Sequence, residues 1–338
     1  MRRSIAAVLS LSLIASAPAG SALAWGQTGH RMIGETAAAA LPKDLPAFIT
    51  SEAGIADIGE LSREPDRLRS VSKLFDSDTA PAHFLDLDDD NKILGGPSLS
   101  ALPPLRQTYD TELRAAGADS WKAGYLPYSI TESWQKLQFD FAYWRMAVAG
   151  AKTVKDKAHQ AWLAAAAKRY EALILSDIGF LSHYVGDGSQ PLHVSVHFNG
   201  WGDYPNPDAF TTDKIHSPFE GAFVTNNVKE PDITAAMGAF HDCACAIEKR
   251  VADYLTVTGA QVKPLYQLWK DGGFKDGDTR GKAFAVARLA AGATELRDLI
   301  TIAWTGSDKV AIGYPKPIAL ADVASGKVDP YSVLHGAD

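Results

Sequence analysis

The chain has 338 residues, 46% of them hydrophobic and 22% charged, with a formal net charge of −7. That balance argues against a coat for duplex DNA, and the length allows one large domain or two small ones. The only cysteines, Cys243 and Cys245, lie too close together to staple distant parts of the chain. A local disulfide and two free thiols both remain open, and a metal role is weaker without a second pair.

Residues 1–24 read as a signal peptide. Arg2 and Arg3 give a positive start, Ile5 to Ile14 an apolar run, and Ala22-Leu23-Ala24 a small-x-small cleavage pattern. The run is short for a transmembrane helix, and no later stretch reaches about 18 apolar residues. Cleavage after Ala24 would make Trp25 the first residue and, by removing Arg2 and Arg3, take the charge from −7 to −9. A soluble protein of the periplasm or the exterior is expected, without a transmembrane segment and as a monomer. Residues 25–338 contain no long Pro/Gly/Ser linker, so one domain is expected.

The predicted elements are helical throughout. Residues 29–41 are Ala-rich with apolar residues at helix spacing. Residues 130–150 read as a helix capped by Ser129 or Thr131. The long run 156–186 places Trp162, Leu163, Tyr170, Leu173, Ile174, Ile178, Leu181 and Val185 at three- and four-residue steps. Gly186, Gly188 and Pro191 are expected to end it. Residues 232–257 and 280–304 complete the helices. Glycine- and proline-rich loops cover 91–104, 198–214 and 306–338. The expected fold class is all-α: a single multi-helix domain with long functional loops.

The chemistry concentrates in the histidines, of which there are nine. In "HYVGDGSQPLH", His183 and Asp187 are four apart, hence on one helix face, and His193 can fold back toward them. His216 and Glu220 repeat the spacing in "IHSPFEG", where Pro218 suits a first helical turn. "PAHFLDL" supplies His83 and Asp86, "EPDRLR" supplies Asp66 and Arg69, and His30 follows Trp25. Singly, each suits an ordinary surface pair, a packed histidine or a helix cap. Together they form a set of nitrogen and oxygen donors suited to zinc. No G-x-S-x-G or phosphate-cradling G-x4-G-K-[ST] motif offers another chemistry.

On these residues the chain resembles the zinc-dependent phospholipase C and S1/P1 nuclease superfamily, secreted all-helical enzymes with a trinuclear zinc site. The motif carrying the resemblance is H-x3-D-x5-H with Gln190-Pro191-Leu192 before its last histidine. The resemblance implies three zinc ions per chain. Trp25, through a free amine and its carbonyl, and His30 would hold one, and Asp187 would bridge it to a second. The second would also take Asp66, His83 and His183; the third would take His193, His216 and Glu220. Asp86 would act beside the metals and Arg69 would stabilise developing charge. Zinc-activated water would then hydrolyse a phosphodiester.

The Trp25 to His30 step is similar to the nuclease branch, with single-stranded DNA or RNA and 3′-nucleotides as substrates. Glu220 is closer to the phospholipase C branch, where phosphatidylcholine-like lipid would be the substrate. The Gly-Gly-Asn stretch of the nuclease branch is replaced by "VHFNGWGDYPNPD". A zinc-binding protein without turnover is the non-enzymatic alternative. Phe84, Asn199, Trp201 and Tyr204 are the candidate substrate-binding residues, with Phe198 nearby. Trp201 and Tyr204 are expected to be exposed in their loop, and Phe84 and Phe198 packed. His197 is expected to be a loop residue; His159, His241 and His335 receive no role.

Overall fold

The computed structural model describes residues 25–69, 71–275 and 277–336. The signal peptide expected at 1–24 lies outside them. The helical expectation holds: among the described residues there is no strand, only isolated bridges such as Leu85 to Gly124. No described helix is long and apolar enough to cross a membrane.

The frame is a hairpin of two long helices, Leu126–Thr153 and Lys157–Ser189. A link of three residues, 154–156, joins them, which forces antiparallel packing. Asp156 starts the second helix by accepting hydrogen bonds from the Ala158 and His159 amides. Thr279–Gly306 packs against both helices, and Trp134 donates its indole N–H to the Leu299 carbonyl at 3.0 Å. Gly26–Ala39 crosses the 157–189 and 279–306 helices. One continuous apolar cluster runs through this assembly from Trp25 to Trp304.

Several expectations are corrected. The expected 130–150 helix begins earlier, at Leu126, with Pro127 in its first turn; Ser129 and Thr131 are buried inside it rather than capping it. Gly186 and Gly188 lie within the last turns of the 157–189 helix, which ends just before Pro191. The loop 306–338 contains short helices Leu320–Ala324 and Tyr331–His335.

The expected 232–257 helix is two helices, Glu230–Ala236 and Ile247–Gly259, joined by a non-helical strap. Long-range partners hold that strap. Arg297 donates to the Gly238 carbonyl at 2.8 Å, the His241 amide to Asp298 at 3.1 Å, and Arg250 to the His241 carbonyl at 2.7 Å. Cys243 and Cys245 are joined in a disulfide, and Ala244 between them takes a left-handed backbone (φ 50°), which a right-handed helix cannot include.

Glu35, on the 26–39 helix, supplies a stability test. Burial, then its hydrogen bond to Glu230 and the charge of that residue, pushes its carboxyl up to about 7. The folded state therefore holds the Glu35 proton more tightly than the unfolded chain. Its stabilising effect is complete below the ordinary carboxyl range and is lost as pH rises through about 7. Glu35→Gln keeps the neutral form at every pH. It is expected to raise Tm by about 2 °C at pH 8 and to leave it unchanged at pH 4, read by calorimetry.

Candidate metal centre

The last turns of the 157–189 helix present His183 and Asp187 to the same space, with His183 Nε2 3.3 Å from Asp187 Oδ2. Asp187 is fully buried. Its other oxygen, Oδ1, lies 3.4 Å from His30 Nε2, while His83 Nδ1 lies 3.1 Å from Oδ2. One carboxylate thus faces imidazoles on both sides. The 26–39 helix brings His30 this close because residue 186 is glycine: a Cβ there would lie 2.9 Å from His30 Nδ1. The His30 and His183 rings stack with centroids 3.9 Å apart.

Beyond Ser189 the chain turns through Pro191–His193, and Gln190 shapes that turn. Its Oε1 accepts from the Leu192 amide at 2.7 Å, and its Nε2 donates to Glu220 Oε2 at 3.1 Å. His193 Nε2 then meets His216 Nε2 at 3.0 Å, and His216 Nε2 lies 2.8 Å from Glu220 Oε2. The four-residue step from His216 to Glu220 enters a π-helical turn, Pro218–Phe223.

Three imidazoles are oriented in the same way. Nδ1 of His183 donates to the Ser62 carbonyl at 2.8 Å, Nδ1 of His193 to the His83 carbonyl at 2.7 Å, and Nδ1 of His216 to the Phe198 carbonyl at 2.9 Å. A proton fixed on Nδ1 leaves Nε2 as a lone pair aimed into the site. Two such nitrogens repel one another at close range, yet His193 Nε2 and His216 Nε2 are 3.0 Å apart. Protons or cations between them relieve that repulsion.

The donor set fits a metal on a second ground. His30 Nδ1 and Nε2, Asp66 Oδ1, His83 Nε2, Asp187 Oδ1 and Glu220 Oε1 are buried side-chain atoms without a hydrogen-bond partner. Each costs desolvation free energy that a cation would restore. Among the described residues three groups bring their donor atoms close enough to share an ion: His30, the part-buried Asp66 and His183; His83, His183 and Asp187; and His193, His216 and Glu220. The third matches the expected set. The first two overlap at His183, whose Nδ1 is taken by the Ser62 carbonyl, so its one remaining nitrogen, Nε2, can serve a single ion.

Electrostatics agree with the geometry. Burial works against the Asp187 carboxylate, yet His183 and His193 hold it well below the ordinary range. Burial also opposes charge on His193, but Asp187 and Glu220 outweigh it and push the ring up to about 9. Burial pushes His83 down to about 4 against the pull of Asp187. The cluster is an anionic socket that attracts protons or cations.

Trp25 is buried beside this socket. Its indole N–H lies 2.8 Å from both the Gly186 carbonyl and Ser189 Oγ, and its carbonyl accepts from the Gly29 amide. The first turn of the 26–39 helix is thereby anchored to the helix carrying Asp187.

A cavity of about 430 Å³ opens over His83, His193 and His216. Arg69, Phe84, Asp86, Phe198, Trp121 and Lys122 are among its walls. Arg69 also lies 3.6 Å from Asp66. Burial pushes the Asp86 carboxyl up to about 8.

The remaining candidates are redistributed. Trp201 is 2% exposed rather than a surface ring: it stacks on His197 at 3.7 Å and packs edge-on against Tyr266. Phe198, expected in the core, is 51% exposed and lines the cavity. Phe84 is half-buried on the same cavity wall rather than packed away. Asn199 is a support, its Oδ1 accepting from the His216 amide at 3.2 Å. Tyr204 is exposed as expected but sits against His197 instead of lining that cavity. His197 itself is buried, its Nδ1 donating to the Trp201 carbonyl at 2.9 Å and its Nε2 lying 3.2 Å from Asp89 Oδ1.

Gln190, Trp121 and Lys122 are the site residues that sequence reasoning missed. Gln190 stood inside the motif. Trp121 and Lys122 had only the turn signal of Asp119 and Gly124 around them.

No family model matches the chain, and no curated protein matches it.

Metal analysis of the purified protein tests the socket. Three divalent ions per chain are expected, and Asp187→Asn is expected to lose at least one. A chelator is expected to lower Tm, since ions that bind only the folded state stabilise it. Full retention of metal by the Asp187 variant would argue against the bridging position.

Proposed function

We propose that this chain is a zinc-dependent phosphodiesterase of the S1/P1 nuclease type, hydrolysing single-stranded nucleic acid. The observation that carries the proposal is Asp187, whose two oxygens face His30 on one side and His83 and His183 on the other. That is the arrangement a carboxylate bridging two ions requires. Nitrogen and carboxylate donors without thiolates suit zinc among the available divalent ions.

In this proposal His30, Asp66, His83, His183, Asp187, His193, His216 and Glu220 hold the ions, with the Trp25 amine and carbonyl completing one site. Bound zinc would supply Lewis acidity and an acidified water. The chain's own groups do the rest. Arg69, at the cavity wall, pairs with non-bridging phosphate oxygens. Asp86 faces the same space; burial favours its protonated form, and the charge of bound ions would favour the carboxylate, which would accept a hydrogen bond from the attacking water. The water oxygen bonds to phosphorus and releases a proton to solvent, the P–O bond to the leaving alcohol breaks, and the alkoxide takes a proton from solvent.

Phe84 and Phe198 offer ring faces beside these groups. Stacking on such faces tolerates any base, as a single-strand nuclease requires. The step from Trp25 to His30 also favours the nuclease branch of the resemblance.

A phospholipase C is the second reading. Glu220 favours it, and so does the helix Lys73–Thr79, which ends beside the cavity-lining Ala80. No residue of that helix is buried, and its Leu74 and Phe75 are exposed.

Paired assays with zinc separate the two. Single-stranded DNA and RNA are expected to be cleaved and phosphatidylcholine micelles left intact. His183→Ala is expected to lower kcat/KM on the order of a hundredfold. Cleavage of lipid alone would overturn the nuclease proposal; full metal occupancy with neither substrate cleaved would overturn both enzyme readings. A form starting with Met before Trp25 is expected to bind one fewer zinc, since its Trp25 nitrogen is an amide. Unchanged metal content there would contradict the amine ligand.

A further inference from the structure

The outer wall of the cavity carries two groups with no role so far, Trp121 and Lys122, on the one-turn helix Ser120–Ala123. That helix is held tightly. The Lys122 amide donates to Asp119 Oδ1 at 2.9 Å, and Ser120 donates to Asp110 Oδ1 through its amide at 2.9 Å and its hydroxyl at 2.8 Å. At its other end, the Ala123 carbonyl accepts from the Asp86 amide at 2.9 Å, and Tyr109 Oη donates to the Gly124 carbonyl at 2.7 Å. The platform is thereby tied to the segment carrying Asp86.

On this fixed platform Trp121 is 59% exposed. Among the described residues its ring meets no other aromatic ring or cation, and the Lys122 ammonium has no hydrogen-bond or ion-pair partner. An exposed indole on a fixed backbone and a free ammonium thus stand at the cavity whose floor is His83, His193 and His216.

We infer that Trp121 and Lys122 form an outer subsite for the nucleotide next to the cleaved phosphate. Trp121 stacks its base and Lys122 pairs with its phosphate. This rests on the nuclease proposal. Both side chains line the one cavity, and a ring face with a cation matches the chemistry of a nucleotide's base and phosphate. An acyl chain would cover the indole but leave the ammonium unused. Trp121 is therefore a positioning residue for longer strands, and a substrate with a single phosphodiester and no second nucleotide does not need it.

The test measures kcat and KM of the full zinc-loaded protein on two substrates: a short single-stranded oligonucleotide and bis(p-nitrophenyl) phosphate. Trp121→Ala is expected to raise KM for the oligonucleotide about tenfold. The loss on the small diester should be several times smaller, and Trp121→Phe should recover most of the oligonucleotide binding. Lys122→Ala is expected to flatten the dependence of log KM on log salt by about 0.7. Melting curves check that each variant is folded, and Trp121→Phe and Lys122→Ala keep the test decisive if Trp121→Ala is not. Equal losses on both substrates, or none on either, overturn the subsite and leave the nuclease proposal standing. A wild-type protein that cleaves no nucleic acid overturns both. Loss of phosphatidylcholine binding by Trp121→Ala, with oligonucleotide KM unchanged, overturns the subsite in favour of a lipid contact.

Discussion

A fully buried carboxylate with imidazoles on both sides constrains everything around it. Asp187 sits at the crossing of the 26–39 and 157–189 helices, and an isolated charge there would cost several kcal/mol. His30, His83 and His183 make it tolerable, and each comes from a different part of the chain. Their convergence demands close helix approach, which Gly186 permits, and a fixed first turn, which the buried Trp25 indole provides. The polar centre is thus built into the apolar core rather than added at its surface.

Around that carboxylate, backbone carbonyls do the orienting. Ser62, His83 and Phe198 each accept from a histidine Nδ1, so loop conformation sets the direction of three ring lone pairs. Gln190 and Asn199 extend the same control to Glu220 and to the His216 backbone. The cavity above divides its labour. Its floor carries the donors, while its walls carry ring faces and two cations, Arg69 and Lys122. The proposed substrate, a phosphodiester flanked by planar bases, would use both parts.

The parts legible in the sequence are those fixed by short-range spacing. His183 to Asp187 and His216 to Glu220 each span one turn, so their faces follow from the helix repeat alone. The 157–189 and 279–306 helices were equally readable, because long apolar periodicity outweighs any single breaker. Parts that depend on distant partners were not legible. The 237–246 strap breaks a helical pattern because Arg297 and Asp298, some fifty residues on, capture its backbone. Phe198 and Trp201 share one loop composition, and Trp201 is the ring that packs against Tyr266, far along the chain. Trp121 lies outside the histidine motifs, and only the fold brings it to the same cavity.

Anomalous X-ray scattering at the zinc absorption edge, from crystals of the protein grown with zinc, tests the central claim most directly. Three peaks are predicted, each about 2.0–2.2 Å from its nitrogen and oxygen ligands, two of them sharing Asp187. A single peak, or none bridged by Asp187, would contradict a trinuclear centre in this chain.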